Sequence, residues 1–599
     1  MEKITLRKSN FITSYGAGSI FDFRTDRASI SAIVLLFDNW KNSRRITEHR
    51  LAKLLNVTDF REPPVIIDEE NFSRSEPVRV KQFPRWLQCP KCRRIKDLDD
   101  WQEKSFGSYE KTCPHCSKEG SKSRKVYCVP IRFLAACENG HIDDFPWNRF
   151  LQHKKDCKNN DLKLIDLGSG IDKVFVKCET CKRQRSLKDA FNRVGFINPT
   201  IDCTCKSPWI EGDNSWDKKC EKPFRAFQRG SSSLYFPNTI SAISIPPWSQ
   251  LKADKIGEQI LHDLINSEEK DIALYINILS KSNSGIKEMI KNGFSTEDIK
   301  NTILALKNLE IDEEKMAMHE YLVLKEACLA DASDDDFEAN KKKIPLEFEN
   351  YISGISKIKR LREVRALRSF SRINTIENSS TKNNVVSNRE DWLPAIENYG
   401  EGIFIDFSDE LLTKWEMKTE VIERVKDASR LYKNAYLTDG GELNKIENKL
   451  TPRYFLLHTI SHLLIRAISN FCGYSLSSIR EKIYSNKSFD SNGINQSGIL
   501  LYTSSSDADG TLGGLAGMAE LEKITDLIKT ALHDGEWCSG DPLCIDRVVD
   551  ISLTASLASC HHCTLLPETS CESFNCFLDR GLLFGTDRYP EIAFFKKNI

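Results

Sequence analysis

The chain has 599 residues, of which 40% are hydrophobic and 29% charged, and its 86 Lys and Arg residues balance its 86 Asp and Glu residues. This length is too great for one hydrophobic core and predicts roughly three to five domains of ordinary globular composition. The zero net charge excludes a chain that is basic throughout, so nucleic-acid binding would depend on local basic patches. Residues 1–10 lack the apolar segment of a secretory signal, and no apolar run of about 18 residues follows, so we expect a cytoplasmic protein with reduced thiols and no membrane span.

The N-terminal residues 1–80 mix short apolar runs with turns and predict an α/β segment. Residues 29–37 (SISAIVLLF) predict a strand because β-branched and other apolar side chains follow one another. Residues 15–19 (YGAGS) predict a tight turn. Such a turn can approach a phosphate, but an isolated Gly-x-Gly pattern gives only weak support for phosphate binding.

The first cysteine-rich stretch contains two C-x2-C motifs, Cys89 with Cys92 and Cys113 with Cys116. Each motif predicts a tight turn that directs two thiolates at one point, and two such turns on facing hairpins complete a tetrahedral zinc-ribbon site. A redox role is less well supported, because a thioredoxin-like motif is a single pair in a βαβ context.

A second site is predicted around the C-x2-C motif of Cys178 and Cys181. Its other half has to come from two of Cys203, Cys205 and Cys220. We favour Cys203 and Cys220 as the remaining zinc ligands.

One further site is possible where Cys137-x3-His141 is followed by His153-x3-Cys157. These spacings can place pairs of ligands on adjacent turns of a helix or in a loop. The alternative is a histidine with a core hydrogen bond and two inert cysteines.

The C-terminal region contains six cysteines and two adjacent histidines: Cys538, Cys544, Cys560, His561, His562, Cys563, Cys571 and Cys576. We predict one four-ligand site made by Cys544, Cys560, Cys563 and Cys571. Cys538 and Cys576 fit the role of ordinary buried cysteines, although the spacing does not exclude them as ligands. All the predicted sites are closed, with four protein ligands, so we expect two to four zinc ions that stabilise structure and do no chemistry.

The middle of the chain, residues 250–345, has Lys, Glu, Ile and Leu at helical spacing and few glycines or prolines, which predicts helices. Residues 357–368 (KIKRLREVRALR) are rich in basic side chains, and apolar residues recur every third position, which predicts a helix with one apolar side. This helix either presents a solvated face or contacts DNA phosphates. The candidate DNA-binding residues are Lys359, Arg360, Arg362, Arg365 and Arg368, with Arg225 and Arg229 as weaker candidates.

Residues 402–407 and 498–503 predict strands, and residues 454–471 predict an amphipathic helix with His458 and His462 one turn apart. The zincin motif H-E-x-x-H is not present, because a threonine follows the first histidine. A core or capping role is therefore better supported for His458 and His462. The glycine turn at residues 507–515 can hold an anion or be a tight structural turn, with equal support. The sequence has no Gly-Lys dipeptide and hence no P-loop.

Seven stretches match one known family when they are taken together. They are residues 15–20 (YGAGSI), 140–147 (GHIDDFPW), 361–365 (LREVR), 400–404 (GEGIF), 458–464 (HTISHLL), 509–514 (DGTLGG) and 560–572 (CHHCTLLPETSCE). The chain resembles the DrmB family of DISARM anti-phage defence systems, and its C-terminal part resembles the helicase-associated four-cysteine domain.

This resemblance implies a bacterial cytoplasmic protein that pairs with the helicase-like ATPase DrmA and binds DNA, with single-stranded ends and overhangs as substrates. It also places the family's cysteine cluster on Cys544, Cys560, Cys563 and Cys571. The chain departs from the family at Cys205, where a C-x-G pattern is expected. That departure favours Cys203 and Cys220 as ligands.

We therefore expect a multidomain α+β protein with zinc-ribbon-like modules in the N-terminal half, a helical middle region and a mixed α/β C-terminal domain with a cysteine cluster. The predicted segments are an N-terminal segment (1–80), a zinc-ribbon module (81–160), a second zinc module (161–249), a mainly helical domain with the basic helix and a linker (250–390), and the C-terminal domain (391–599).

The expected function is a non-catalytic zinc-binding subunit that forms a heterodimer with the ATPase and helps bind DNA. One alternative is a metal-dependent nuclease or hydrolase, with Asp143, Asp144, Asp507 and Asp509 near His141 or His458. The other is a protein-only scaffold that does not contact DNA.

Overall fold

The computed structural model describes residues 6–25, 27–64, 78–103, 109–117, 125–155, 157, 161–191, 196, 200–212, 219–246, 249, 251, 253–291, 293–374, 381–387, 391–438, 446–487, 493–503, 514–546 and 556–596. The chain divides into two compact units. The first comprises Met1–Arg45, Phe60–Ile240 and Ala366–Ile396, and the second comprises Ile46–Asp59, Ser241–Arg365 and Glu397–Ile599.

The described helices and strands follow one another in a mixed order. The helices are α1 (Lys8–Ile12), α2 (His49–Leu55), α3 (Trp147–Leu151), α4 (Ala253–Ile256), α5 (Glu258–Asn266), α6 (Glu269–Ser282), α7 (Ser284–Lys291), α8 (Thr296–Lys307), α9 (Glu313–Glu326), α10 (Asp409–Glu416), α11 (Thr419–Thr438), α12 (Pro452–Cys472), α13 (Gly514–Gly517), α14 (Leu521–Glu536) and α15 (Gly581–Phe584). The strands are β1 (Ile20–Arg24), β2 (Ser29–Val34), β3 (Arg45–Ile46), β4 (Asp59–Arg61), β5 (Val80–Gln82), β6 (Trp86–Gln88), β7 (Arg94–Asp97), β8 (Gln102–Glu103), β9 (Lys111–Thr112), β10 (Val129–Pro130), β11 (Phe133–Ala136), β12 (Ile142–Asp144), β13 (Leu162–Asp166), β14 (Val174–Cys178), β15 (Gln184–Ser186), β16 (Arg225–Gln228), β17 (Phe236–Ile243), β18 (Ala332–Ser333), β19 (Phe337–Lys342), β20 (Ile352–Ser371), β21 (Trp392–Phe407), β22 (Ile479–Tyr484) and β23 (Gly498–Thr503).

The first unit contains a six-stranded antiparallel sheet in the order β10-β6-β7-β13-β14-β15. Two hairpins of this sheet turn through C-x2-C motifs, β6–β7 through that of Cys89 and Cys92 and β14–β15 through that of Cys178 and Cys181. A smaller sheet, β12-β11-β16, lies in the same unit. The buried side chains of Phe133, Trp147 and Phe150 belong to the core of this unit, and short strands carry most of its cysteines to their ends.

In the second unit, helices α5 to α8 form a helical cluster around buried isoleucines such as Ile276, Ile286 and Ile303. Helix α8 begins with a capping box, in which Ser295 accepts the backbone N–H of Asp298 and the Asp298 carboxylate accepts the N–H of Ser295. The helical middle region expected from the sequence is therefore confirmed.

The sheet of the second unit has the strand order β18-β19-β20-β21-β23-β22. Helix α12 lies in the core beside β22, β23 and α14. It begins with Thr451 accepting the N–H of Tyr454 and ends at Gly473, whose φ of 71° stops the helix. Of the described helices, only α12 is long and apolar enough to cross a membrane, and 72% of its most apolar window is buried inside the protein, as in a core helix.

The prediction of a basic helix at residues 357–368 is wrong, because this segment is part of strand β20. The register between β19 and β20 shifts between Glu338 and Ala339, which leaves Lys359 as an extra residue without a partner opposite it. This bulge interrupts the alternation of inward and outward side chains, and beyond Leu361 the strand is buried on both sides. The apolar positions therefore fall at a three-residue spacing that imitates a helix.

The α+β, multidomain architecture is confirmed, and so are the predicted strands that correspond to β2, β21 and β23 and the helix α12. Cysteine clusters lie in both the N-terminal and the C-terminal region. The division into five segments stays a prediction.

Candidate metal centres

None of the 20 cysteines forms a disulfide, and most of them gather in groups of potential metal ligands, either with one another or with histidines and a glutamate. Among the described residues there are five such groups, in each of which the ligand atoms lie within 4.8 Å of one another. We name them the ribbon site (Cys89, Cys92, Cys113, Cys116), the turn site (Cys137, His141, Cys203, Cys220), the helix-end site (His153, Cys157, Cys178, Cys181), the tail site (Cys538, Cys544, Cys560, Cys563) and the histidine site (His458, His462, Glu481, Cys571). A tetrahedral zinc ion with Zn–S bonds of about 2.3 Å places its sulfur atoms about 3.8 Å apart, so each group has the dimensions for one ion.

The ribbon site brings together the four cysteines that the sequence predicts. The Sγ atoms of Cys89 and Cys116 lie 3.9 Å apart, and those of Cys92 and Cys113 lie 3.7 Å apart. These distances match the edges of an S4 tetrahedron around zinc.

The C-x2-C turns of the ribbon and helix-end sites have the same backbone hydrogen bonds. The N–H of Arg93 donates to the carbonyl of Cys89 at 3.0 Å, and the N–H of Lys182 donates to the carbonyl of Cys178 at 2.9 Å. Arg93 and Lys182, which follow the second cysteine of each motif, have left-handed φ angles of 63° and 59°. The same turn therefore occurs twice in one sheet and presents two thiols on one side each time.

The predicted second site, with Cys178 and Cys181 opposite Cys203 and Cys220, is wrong in its grouping. The structure places the first pair in the helix-end site and the second pair in the turn site. The further site expected from Cys137, His141, His153 and Cys157 is also wrong in its grouping. Its first two residues lie in the turn site and its last two in the helix-end site. The pairing of the strands gives the physical reason for both exchanges.

The turn site is assembled by the register of strands β11 and β16. Ala136, at the end of β11, pairs with Arg225, at the start of β16, so Cys137 and Cys220 lie at the same edge of this sheet. Their Sγ atoms are 3.8 Å apart. His141 follows in the hairpin to β12, and its Nδ1 lies 3.4 Å from the Sγ of Cys137.

Cys203 completes the turn site, with its Sγ 3.5 Å from both the Sγ of Cys137 and the Nδ1 of His141. The sequence departs from the family pattern at Cys205, which is buried, lies outside the ligand group and has a left-handed φ of 58°. This conformation is the one that favours glycine, which explains a C-x-G pattern. The N–H of Cys205 donates to the Sγ of Cys203 at 3.3 Å and orients that ligand.

The helix-end site is assembled by strands β13 and β14. Leu162, which begins β13, pairs with Cys178, which ends β14, so Cys157 lies near the same edge and its Sγ is 3.8 Å from that of Cys178. The Nδ1 of His153 lies 3.7 Å from the Sγ of Cys181. The other ring nitrogen of His153 lies 3.2 Å from the side-chain oxygen of Asn148, a partner that leaves Nδ1 free to bind a metal.

The tail site consists of four cysteines that follow helix α14. Distances between Sγ atoms are 3.4 Å for Cys538 and Cys560, 3.6 Å for Cys560 and Cys563, and 3.9 Å for Cys544 and Cys563. The hydrogen bond with Cys563 and the positive charge of the buried Arg580 guanidinium lower the pKa of the Cys544 thiol. Zinc with four thiolates has an excess of negative charge, and the buried arginine compensates for it.

The prediction that Cys571 is the fourth ligand of the tail site is wrong, because Cys538 occupies that place. Cys538 comes two residues after the end of α14, which directs it toward the turn between Cys560 and Cys563. Cys571 instead contacts His458 of helix α12 and belongs to the histidine site. Cys576 is buried among apolar side chains of the core, as an ordinary core cysteine would be.

The histidine site joins two elements of the second unit to its C-terminal loop. His458 and His462 lie on one side of α12, Glu481 lies in β22, and Cys571 follows in the loop. The sequence favours a core role for the histidines and gives no sign that Glu481 and Cys571 lie beside them. That information resides in the packing of α12 on β22.

Contacts within the sites shift the pKa values of individual thiols. The hydrogen bond from Cys203 lowers the pKa of the Cys137 thiol to about 4, and the same contact raises the pKa of Cys203. Hydrogen bonds from the backbone N–H groups of Lys154 and Arg183 lower the pKa of Cys181 to about 6. The thiolate, which is the form that binds zinc, is therefore favoured at Cys137 of the turn site and at Cys181 of the helix-end site, whereas Cys203 favours the thiol.

The carboxylates Asp143 and Asp144, which would serve a hydrolytic centre, have structural partners. Asp143 forms an ion pair with Lys206 at 2.9 Å. Asp144 accepts the backbone N–H groups of Arg85 at 3.2 Å and Trp86 at 3.0 Å, and burial raises its pKa to about 7. Both side chains therefore contribute to the fold around β12.

The other two candidate carboxylates, Asp507 and Asp509, lie with most of their glycine turn outside the described residues. Within the described part of the chain, each group of metal-ligand geometry has four protein ligands. None of these groups presents the open position that a hydrolytic metal centre needs.

Two of the predicted DNA-binding residues form ion pairs with buried acidic side chains. Arg362 forms an ion pair with Glu397 at 2.9 Å, and Arg365 forms one with Glu363 at 2.5 Å. Arg368 is half-buried. Arg362 and Arg365 therefore stabilise strand β20, and Arg368 is less accessible than the sequence suggests.

The weaker candidates are similarly engaged, since Arg225 forms an ion pair with Glu138 at 2.6 Å and Arg229 forms one with Asp22 at 3.0 Å. Lys359 and Arg360 differ from them. Both are 46% exposed at the bulge of β20, where they share the carboxylate of Glu338. Of the seven candidates, these two remain accessible to a phosphate backbone.

Comparisons with known proteins agree with this arrangement. Residues 7–236 match a domain of unknown function (DUF8724), and residues 460–564 match the MrfA Zn-binding domain. The second match contains all four cysteines of the tail site. The DISARM protein DrmB of Bacillus paralicheniformis (strain ATCC 9945a / NCIMB 11709 / CD-2) is 31% identical over 595 residues, which cover 95% of this chain and 99% of that protein. The resemblance seen in the sequence is therefore confirmed, and the chain belongs to the DrmB family of DISARM proteins.

Proposed function

We propose that this protein is a non-catalytic subunit of a DISARM anti-phage complex, in which zinc-stabilised surfaces bind DNA together with a helicase-like ATPase of DrmA type. The main support is the tail site. Its four thiols have S4 geometry, and they lie within the region that matches a zinc-binding domain family. Membership of the DrmB family supports a role in DISARM defence.

Zinc has a structural role in this proposal. The ribbon, turn, helix-end and tail sites each offer four protein ligands and could hold up to four ions. A closed site of this kind supplies folding energy, because its ligands converge only in the folded chain. Mass spectrometry of metal content should find at least two zinc ions in the purified chain, and a metal-free, folded protein would contradict this role.

ATP hydrolysis belongs to another chain in this proposal. The sequence contains no Gly-Lys dipeptide, so it lacks the P-loop that a helicase-like ATPase uses to bind the β- and γ-phosphates. The closed metal sites give no support for hydrolysis of DNA by this chain either. Both observations favour a subunit that binds and positions DNA for an ATPase partner in the cytoplasm.

The bulge of strand β20 is the DNA contact that we propose. Lys359 and Arg360 lie side by side on the surface, and Glu338 holds both of them in place. Two adjacent cations at a fixed position can contact phosphates of a single strand without reading its bases. The buried arginines of the same strand hold the strand and do not contact DNA.

The test replaces Lys359 and Arg360 together by glutamate in the full chain, assembled with its ATPase partner. Affinity for a duplex with a single-stranded overhang should fall about tenfold at low salt, and the dependence of affinity on salt should become shallower by about one to two in log–log slope. Fluorescence anisotropy over a salt series measures both quantities.

A matched control replaces Lys414 and Lys529, which are also exposed and ion-paired in the second unit, by glutamate. This control has the same change in net charge and should bind DNA as the unmodified chain does. Equal binding by both double variants would exclude the bulge as the contact. If, in addition, the assembled complex gave no crosslink between DNA and this chain, the protein would be a scaffold without DNA contact.

A further inference from the structure

The histidine site is a second kind of ligand group in the C-terminal half of the chain. His458 and His462 are one helical turn apart on α12, so both rings lie on the side that faces Glu481 of β22. Cys571 lies against His458 from the C-terminal loop. The two histidines and the carboxylate have no exposed side-chain surface, and Cys571 is buried. Solvent water therefore cannot form hydrogen bonds with the polar atoms of this group.

The orientation of His462 leaves a ring nitrogen without a hydrogen-bond partner. Its Nδ1 lies 2.9 Å from the backbone oxygen of Thr564, and a carbonyl oxygen only accepts, so Nδ1 bears the proton. Nε2 of the neutral ring is then a bare acceptor. It forms no hydrogen bond and lies 3.4 Å from the carboxylate oxygen Oε1 of Glu481. A lone pair that faces an anion is unfavourable unless a cation lies between them.

His458 meets the same carboxylate oxygen from the other side. Its Nε2 lies 3.0 Å from Oε1 of Glu481 and 3.1 Å from the Sγ of Cys571, and its Nδ1 has no partner. Ser461 donates its hydroxyl to the other oxygen of Glu481 and holds the carboxylate in this orientation. Two nitrogens, one oxygen and one sulfur therefore converge on a single point.

Two backbone N–H groups hold the sulfur of Cys571 in place. Its Sγ accepts the backbone N–H groups of Ser573 at 3.3 Å and Asn575 at 3.2 Å. The ribbon site has the same kind of bond, from the N–H of Cys92 to the Sγ of Cys89 at 3.5 Å. The two N–H groups therefore orient the Cys571 sulfur toward His458 in the way that Cys89 is oriented in the ribbon site.

We propose that His458, His462, Glu481 and Cys571 bind a zinc ion of their own, separate from the ion of the tail site. Two neutral imidazoles, one carboxylate and one thiolate balance the charge of Zn²⁺, so the loaded site is neutral. A neutral site needs no compensating charge in a fully buried place, in contrast to the tail site with Arg580. The mixed nitrogen, oxygen and sulfur ligands and the full set of four favour zinc in a closed site.

This ion would fasten helix α12 and strand β22 to the C-terminal loop. The matched zinc-binding region ends at residue 564 and begins at residue 460, so it includes neither Cys571 nor His458. The site therefore extends the metal-bound part of the second unit at both ends. The inference is independent of DNA binding and of the ATPase partner.

The experiment compares zinc content and thermal unfolding of the full chain with those of Glu481→Gln. Glutamine has the shape of glutamate, and its amide can donate to the bare nitrogen of His462, so a network of hydrogen bonds alone would tolerate or prefer it. A zinc site would lose a charged ligand. We expect the variant to lose about one zinc ion per chain and to unfold at a lower temperature. Cys571→Ser should also lose one ion, and Cys472→Ser, a cysteine outside every group, should lose none.

Zinc content that is unchanged in both Glu481→Gln and Cys571→Ser would overturn the proposal. If the variants do not fold, crystals of the unmodified chain give the answer through anomalous difference maps recorded on both sides of the zinc absorption edge. A peak among the four ligand atoms supports the site. A map with a peak at the tail site and none at the histidine site would exclude it.

Discussion

The ribbon site and the tail site have the same four-cysteine chemistry in different surroundings. The core around the ribbon site is small, with Leu87 and Trp101 as its buried apolar side chains besides cysteines. The tail site lies in the unit whose large core surrounds helix α12, and the buried Arg580 adjoins it. Cysteine spacing alone therefore does not reveal how much of the local fold depends on the metal.

The difference follows from the balance between apolar burial and chain entropy. A short segment with few buried side chains cannot offset the cost of ordering its backbone, and a metal supplies the difference. In the second unit the apolar core supplies most of the stability, and a metal there fixes the geometry of a loop. Removal of zinc should therefore unfold the ribbon module and only loosen the tail.

The largest expected effect is a difference in local unfolding between the variants Cys89→Ser and Cys560→Ser. Each variant removes one of four thiolates, and structural zinc contributes on the order of 10 kcal/mol to small zinc modules. Cys89→Ser should abolish protection from hydrogen exchange in strands β6, β7 and β9, whereas Cys560→Ser should leave helix α12 protected. Hydrogen-exchange mass spectrometry on the full chain measures both regions in one experiment.

Cys128→Ser is the matched control for the ribbon module, because Cys128 is buried in the same small cluster and is not in the ligand group. It should retain zinc and protection. If Cys560→Ser unfolded helix α12 to the same extent as Cys89→Ser unfolds the ribbon strands, the contrast between the two sites would be lost.

The sequence predicts a site well when all of its ligands come from local turns. Two C-x2-C motifs identify the ribbon site because each motif positions its own pair of thiols. The turn and helix-end sites exchange partners relative to the prediction, because Cys137 meets Cys220 only through the register of β11 with β16. The same limit applies to Cys571, which reaches His458 only in the folded second unit. Long-range strand pairing is the information that spacing does not contain.

The fold shows the same limit at strand β20. Helix α12 and strand β23 are predictable because a long apolar run and a short β-branched run have one favourable structure each. Residues 357–368 satisfy a helical pattern, yet the bulge at Lys359 and burial on both sides make them a strand. Tertiary burial of Arg362 and Arg365 with acidic partners then removes two of the six cations from the basic surface that the sequence indicates.

A second contrast concerns pH, because the pKa values of two buried carboxyl groups, one in each unit, are shifted in opposite directions. Burial raises the pKa of Asp144 in the first unit to about 7. In the second unit, burial would raise the pKa of Glu363, but the Arg365 guanidinium and other partners lower it to about 2. The unfolded chain releases the proton of Asp144 near pH 4, and the folded chain keeps it until about pH 7. Stability from this group is therefore present below pH 4 and is lost as the pH rises to 7, whereas that of Glu363 stays constant above about pH 5.

The measurement is the free energy of opening of each unit from hydrogen exchange between pH 5 and pH 8, compared with Asp144→Asn. Over this range the free energy of opening of the first unit should fall by about 3 kcal/mol more in the unmodified protein than in Asp144→Asn. The free energy of opening of the second unit should be the same in both proteins. The comparison cancels the effect of pH on zinc binding, since both proteins have the same ligands. Parallel pH profiles of the two proteins in the first unit would show that Asp144 ionises normally.

The smallest expected effect tests whether the two C-x2-C turns of the first unit are equivalent. Arg93 and Lys182 have left-handed φ angles of 63° and 59°, a conformation that costs about 1 kcal/mol or more for a residue with a Cβ atom. Glycine removes this cost but gains entropy in the unfolded chain, so Arg93→Gly and Lys182→Gly should each stabilise the first unit by up to about 1 kcal/mol.

Lys91→Gly, inside the ribbon turn and without a left-handed φ, is the control and should destabilise the first unit. Thermal unfolding at saturating zinc measures the three variants. If Arg93→Gly stabilised the first unit and Lys182→Gly destabilised it, the two turns would not be equivalent despite their shared hydrogen bonds. The ion pair of Lys182 with Glu179 would then contribute more than the removal of the left-handed backbone strain.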